Sequence, residues 1–299
     1  MTLPAHWARA ARQDLGLRAL AGLGLVLYLV FIVLPLFMSL HSSLTNENPL
    51  NANSQFVGLG NYRTMLHDSQ LRSAVVFTLA LALTVTVAAN LVGLGFSILL
   101  NRSSLSYRVL RTLAFLPQVI SGVIVGFVWQ TILTENGILN TLLLHLGVIG
   151  QPVDWLGDPH LAQLCVGVVV AWVLSGFTTV VYLAALQGIP QELHDAAAID
   201  GAGGLRRLRR ITVPMVAPAT TISVTICLIT VMKLYDIITV LTAGGPAFAT
   251  QSAAQYIVQL AFTSDQFGYA SAVAMGLLIL SAVIALSVTS LLRRREVDL

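Results

Sequence analysis

The chain has 299 residues, 56% of them hydrophobic and only 10% charged, against roughly 25% charged in ordinary soluble domains. That balance excludes a soluble globular domain and points to an all-α integral membrane protein. The net charge of +3 implies no nucleic-acid partner, because the basic residues sit between apolar runs. Cys165 and Cys227 lie inside apolar segments and read as small buried residues rather than a disulfide or metal pair.

Six apolar runs are long enough to cross about 30 Å of hydrocarbon, which takes around 20 residues. They are Leu17–Leu40, Ala74–Leu100, Val109–Leu133, Leu161–Leu186, Ile211–Met232 and Tyr269–Leu292. Pro35, Pro117, Pro214 and Pro218 fall within them, which is tolerated where neighbouring helices or water satisfy the freed carbonyls. The spans divide the chain into a tail with the first span and first outside loop (residues 1–73) and a core (residues 74–299). Basic residues set the orientation. Arg9, Arg12 and Arg18, Arg102, Arg108 and Arg111, Arg206, Arg207, Arg209 and Arg210, and Arg293, Arg294 and Arg295 make 13 of the 16 on one side. Arg63, Arg72 and Lys233 fall on the other. Six spans with both termini cytoplasmic satisfy this split.

The connectors carry more information than the spans. The first outside loop, His41–Ser73, contains FVGLGNYRTMLHD with turn signals at Gly58, Gly60 and Asn61. The third, Thr134–His160, is acidic (Glu135, Asp154, Asp158); NGILNTLLLHLG within it suits a short interfacial helix, with Trp155 as an anchor at headgroup depth. The stretch 190–214 is the longest polar run between two apolar ones. Pro190 is a good helix start. Leu193, Ala196 and Ala197 follow at helical spacing, with Glu192 and Asp195 on other faces. Gly201 breaks the helix, and a second short basic helix, Leu205–Arg210, leads through Ile211 to Pro214. In the fifth loop, Lys233–Gly268, Gly244-Gly245-Pro246 cannot continue a helix.

Asp195-Ala196-Ala197, then Gly201, Ile211 and Val213-Pro214, resembles the EAA loop of ATP-binding-cassette importer permeases, whose pattern is Glu-Ala-Ala-x3-Gly-x9-Ile-x-Leu-Pro. Asp195 replaces Glu and Val213 replaces Leu. LT-x-GGP-x3-T (Leu241, Thr242, Gly244, Gly245, Pro246, Thr250) looks like the signature of the larger sister permease in carbohydrate importers of the maltose and glycerol-phosphate type. FVGLGNYRTMLHD and WLGDP resemble the same group. The resemblance runs from about Phe56 to the C-terminus. It implies a type I permease in a bacterial or archaeal plasma (inner) membrane, with a second permease subunit as a heterodimer, cytoplasmic ATPases carrying the ATP and Mg, an external substrate-binding protein, and a sugar-like or glycerol-phosphate-like substrate. The loop residues Glu192, Asp195, Ala196, Ala197, Gly201, Ile211 and Pro214 would then couple ATPase closure to rotation of the spans.

No catalytic constellation and no metal-ligand cluster is expected, and no cofactor in this chain. Lys233 is the only lysine and no glycine loop precedes it, so there is no phosphate-binding loop. The spans are almost free of ionisable residues, which argues against a proton- or sodium-coupled carrier; a stand-alone carrier or channel is the alternative. Lys233 and Asp236 would share a helical face at the end of the fifth span, either as a local ion pair or as pathway lining. Trp172, Ser175, Thr178 and Tyr182 in the fourth span, with Tyr235, complete the candidate pathway set. Ser and Thr also serve as glue between membrane helices.

Overall fold

The structure, a computed structural model, describes residues 20–50, 54–102 and 104–294. Arg9, Arg12, Arg18 and Arg295, and the expected start of the first span at Leu17, lie outside these. Among the described residues the chain is helical, with one isolated bridge between Thr45 and Phe56 in place of any sheet. In chain order the helices are α1 Leu20–Ser43, α2 Gly60–His67, α3 Ser69–Leu100, α4 Leu105–Val119, α5 Gly122–Leu133, α6 Ile138–His145 and α7 Pro159–Gln187. After these come α8 Gln191–Ile199, α9 Gly204–Met215, α10 Ala217–Met232, α11 Asp236–Leu241, α12 Ala253–Phe262 and α13 Phe267–Arg293.

Five stretches are long and apolar enough to cross a membrane, and a sixth is obtained when α9 and α10 count as one bent span. Two spans differ from the sequence expectation. Val109–Leu133 is not one helix: the backbone turns extended at Ile120 and Ser121, separating α4 from α5. Pro117 supplies no N–H to the turn before it and Gly122 follows the break. The apolar stretch of spanning length there is Gly122–His145. The fifth run is bent by 64° at Val216. Pro218 has no N–H for the Pro214 carbonyl and its ring crowds that turn.

The chain divides into two compact units. One comprises the described part of Met1–His67 together with Leu260–Gly276. Its order comes from Asn61, whose Nδ2 donates to the Ser43 and Thr45 carbonyls at 2.9 and 2.8 Å, and from Ser43 paired with the Tyr62 hydroxyl at 2.8 Å. Gly268 N–H donates to the Glu47 carbonyl, and a side chain at Gly268 would collide with the Thr45 backbone.

The other unit, Asp68–Gln259 with Leu277–Leu299, holds the core. Its axis is the seam between α3 and α7. Gly93 removes the side chain that would collide with Thr178, and Thr178 Oγ1 uses the approach to donate to the Ala89 carbonyl at 2.7 Å. One turn on, the Tyr182 hydroxyl donates to Asn90 Oδ1 at 2.8 Å. Gly176 does the same for α4, whose Ala114 carbonyl occupies the space of a Cβ. Close approach of small residues and hydroxyl bridging are what hold helices together where lipid removes the hydrophobic incentive. Val85, Val166, Val169, Val231 and Ile238 fill the seam between α3, α7, α10 and α11.

Both long helices are capped at the same end. Asp68 Oδ1 accepts from the Gln70 and Leu71 amides, and Asp158 from those of His160 and Leu161. Asp68 Oδ2 also accepts from the Tyr256 hydroxyl at 2.6 Å. Burial first, then that carboxylate, pushes the Tyr256 phenol above its ordinary pKa. At this end Asn140, buried in α6, is fully satisfied: Nδ2 donates to the Glu135 and Val153 carbonyls, and Oδ1 accepts from Val153 N–H and Trp155 Nε1. The Trp155 indole N–H is therefore spent inside the loop. At the opposite end Arg111 Nε and Nη2 donate to the Leu100 carbonyl and Nη2 also to that of Arg102, closing the end of α3.

Gly93→Leu is expected to force α3 and α7 apart at a cost of about 1–3 kcal/mol or more, seen as a thermal midpoint several degrees lower for the detergent-purified protein. Asn140→Ala leaves two buried donors without acceptors, at about 1–3 kcal/mol. It should raise amide exchange in residues 134–158 while leaving α7 protected; unchanged exchange there would remove Asn140 as the organiser of that loop.

Candidate functional site

Two loops stand at opposite ends of the α3–α7 seam. At the end of Asp68 and Asp158, the segment after α11 folds on itself. Thr250, fully buried, donates to the Gly245 carbonyl at 2.6 Å and shares a 2.8 Å hydrogen bond with the Thr242 hydroxyl. Gly245–Pro246 is cis, and Ala243, Gly244, Ala247 and Phe248 all have positive φ. The two threonines flanking Gly-Gly-Pro thus clamp a tight turn whose tip, Phe248, is exposed. Gln163 Nε2 reaches the Ala249 carbonyl at 2.8 Å, Gln70 pairs with Gln251 at 2.9 Å, and Thr78 Oγ1 accepts from Ala253 N–H at 2.9 Å. These bonds fix the turn to α3 and α7.

At the other end α8 leaves the bundle. Pro190 precedes its first turn, and its end is a Schellman turn: Ala202 N–H donates to the Ala197 carbonyl at 2.9 Å and Gly201 N–H to that of Ala198 at 3.1 Å. Gly201 sits at φ +68° with nothing within 4 Å of where a Cβ would lie. The constraint on this residue is its left-handed backbone, not space. Asp195 is exposed and accepts from Gln191 Nε2 at 3.1 Å; Glu192 is exposed. Ala197, four residues after Leu193, is buried at the edge of the face that Leu193 and Ala196 present. The outward apolar face consists of Leu193, Ala196 and Ile199, with Ile199 88% exposed. Sequence reasoning missed Ile199, although its place three residues after Ala196 put it on that face. Both ends of this loop are anchored. Ile189 before it and Val216 after it join Tyr182, Leu186 and Ala219 in one buried cluster, with Leu94 and Met215 against it. Ile211 and Pro214 are half-buried at its return.

The candidate pathway residues separate into two groups. Ser175, Thr178 and Tyr182 are buried in the α3–α7 seam with their hydroxyls bonded to Trp172, Ala89 and Asn90. Trp172, Lys233 and Tyr235 are exposed, and Asp236 is half-buried. Lys233 and Asp236 do not share a helical face: α10 stops at Met232 and Asp236 opens α11. Asp236 instead lies against Gly122 at the start of α5, where any side chain would collide with its carboxylate. Trp172 meets Trp129 of α5 edge-on, ring centres 5.5 Å apart. Short helix α5 therefore gathers Trp129, Trp172 and Asp236, which sequence spacing had scattered over three spans. A separate groove of about 530 Å³ runs between α3, α10 and α13, with Thr86, Asn90, Tyr182 and Thr220 as its polar patch. Among the described residues no group of His, Cys, Asp or Glu has metal-site geometry.

Residues 89–297 match the family described as binding-protein-dependent transport system inner membrane component. The chain is 31% identical over 271 residues to the probable starch degradation products transport system permease protein AmyD of Thermoanaerobacterium thermosulfurigenes, covering 91% of each. It is 33% identical over 269 residues to the trehalose/maltose transport system permease protein MalF of Thermococcus litoralis, covering 89% of this chain and 88% of that one. Its fold matches a chain of a bacterial transporter importing the acidic polysaccharide alginate, with TM-score 0.83 and 23% identity over 97% of this chain and 99% of the other. It also resembles a chain of the MetNI methionine transporter, with TM-score 0.57 and 19% identity, covering 78% and 99%.

Proposed function

The chain belongs to the binding-protein-dependent transport system inner membrane components, and on that premise we propose that it is one permease subunit of an ATP-driven importer for a sugar or a related polyol compound. It spans the inner membrane with α8 in the cytoplasm and the Gly-Gly-Pro turn outside. A second, different permease completes the pathway, an external binding protein delivers substrate, and partner ATPases hold ATP and Mg.

The observation that carries the reading is α8. A helix of nine residues showing Ile199, Leu193 and Ala196 to solvent has too little surface to be stable alone. It is held by the Schellman turn at Gly201 and by the buried cluster at its base, so its exposed apolar face is kept in place to meet something. A cleft on an ATPase subunit suits it: the small Ala196 allows close approach and Asp195 offers charge at the rim. Movement of the cleft then passes through Ile189 and Val216 into the ends of α7 and α10, biasing a two-state gate. The sugar class rests on the relatives, named for starch degradation products and for trehalose and maltose. Trp129 and Trp172 supply aromatic faces for sugar C–H surfaces, and Lys233, Tyr235 and Asp236 supply polar partners. Ser175, Thr178 and Tyr182 shape that wall from behind through the seam.

Two measurements test this. Proteoliposomes carrying the chain with its sister permease and ATPase, given binding protein and labelled sugars outside, should accumulate one sugar only with ATP inside; uptake by this chain alone, indifferent to ATP, would overturn the reading. Gly201→Val forces a β-branched residue into left-handed backbone and should lower ATP-driven uptake at least tenfold with normal insertion. Gly201→Asn, which tolerates that conformation, should retain most of it. Equal uptake by both variants and the wild type would remove the turn from the mechanism.

A further inference from the structure

We propose that α9 lies in the plane of the membrane interface and that its arginines, Arg206, Arg207, Arg209 and Arg210, bind the phosphate groups of anionic phospholipids. The inference rests on reading α9 and α10 as one bent span, as above.

The geometry comes first. α10 has 16 residues, about 24 Å of helix, less than the roughly 30 Å of hydrocarbon it must cross. The apolar end of α9, Ile211 to Met215, adds about 3 Å more along that axis. The arginines then fall where hydrocarbon gives way to headgroups. α9 is bent by 64° from α10, so its 12 residues, about 18 Å long, advance only about 8 Å along the axis of the span. That is close to the thickness of one headgroup layer. The basic part of α9, residues 204–210, therefore runs within this layer instead of projecting into the cytoplasm, where α8 stands.

The sequence of α9 fits that place. Leu205, Leu208, Ile211 and Met215 form one face and Arg206, Arg209 and Arg210 the other, with Arg207 at its edge. Leu208, Ile211 and Met215 are half-buried against the bundle, whereas Leu205 is 79% exposed at the far end. Arg206, Arg209 and Arg210 are exposed. Among the described residues none of the four guanidinium groups has a carboxylate within ion-pair distance, although Glu192, Asp195 and Asp200 are only a few residues upstream. Four positive charges in five residues, on a helix with an exposed leucine, match an anionic surface with an apolar interior. Guanidinium groups pair phosphate oxygens through two parallel N–H donors, and each arginine near an anionic surface adds roughly a fivefold factor in association. Orienting a connector by positive charge alone would need no amphipathic face and no bend.

The test uses the intact chain with its partner subunits in nanodiscs, probed with spin-labelled phosphatidylglycerol and spin-labelled phosphatidylcholine. The wild type should prefer phosphatidylglycerol several-fold. The quadruple variant R206Q/R207Q/R209Q/R210Q should lose at least three-quarters of that preference, and the quadruple lysine variant should keep about half of it, because the charge remains without the paired donors. A glutamine variant as selective as the wild type would overturn the inference. So would a glutamine variant that keeps its selectivity but no longer co-purifies with the ATPase, which would assign the arginines to that protein. Lipid selectivity is read without ATP; a chain that shows it yet fails ATP-driven uptake would sink the importer reading and leave this one standing.

Discussion

The close approach of α3 to α7 is the contact on which the rest depends. In lipid, helices gain nothing from hiding apolar surface from one another, so association must come from tight packing and hydrogen bonds. Gly93 and Thr178 supply both in one contact, and Asn90 with Tyr182 repeats the bond a turn further. Each end of that seam carries a loop that is rigid for its own reasons. A seam that slipped by one residue would move both loops together, which makes it a suitable shaft for passing motion across the membrane.

The two loops solve opposite problems. The Gly-Gly-Pro turn is folded inward: Thr242 and Thr250 spend their hydroxyls on the turn itself, and Gln70, Gln163 and Thr78 tie it to the long helices. The loop after α7 is folded outward: its only tight internal device is the turn at Gly201, and its apolar face is left uncovered. Between them, the chain bends by 64° at Val216. Proline chemistry accounts for the bend, and the arginines of α9 lie on its far side from α10.

Much of this was legible in the residues. Apolar run length located every span but the third within several residues, because hydrocarbon thickness is a property of the bilayer and not of the fold; the third lies at Gly122–His145, about a dozen residues further on than the run suggested. Gly201 was legible as a helix stop for the same local reason: left-handed backbone has a residue preference that needs no tertiary partner. Thr178 and Tyr182 were not legible as seam residues. A hydroxyl in an apolar run reads the same whether it faces a sugar or the next helix, and only the neighbour at Ala89 or Asn90 decides. Trp155 shows the same limit: its indole was legible as an interfacial side chain, and the buried asparagine that takes its N–H was not.

The sequence by itself therefore determined the class of protein, the number of its spans and the rough extent of all but the third, the turn chemistry at Gly201 and Gly244–Pro246, and the positions of its basic clusters. These follow from interactions within a few residues or with the solvent. Only the tertiary structure decided that the third run breaks at Ile120, that Ala197 turns inward while Ile199 turns out, that Lys233 and Asp236 part company, and that Asp236 comes to rest on Gly122. The last of these depends on a contact between residues far apart in the chain, and no local pattern encodes which of several equally polar or apolar partners packing will bring into reach.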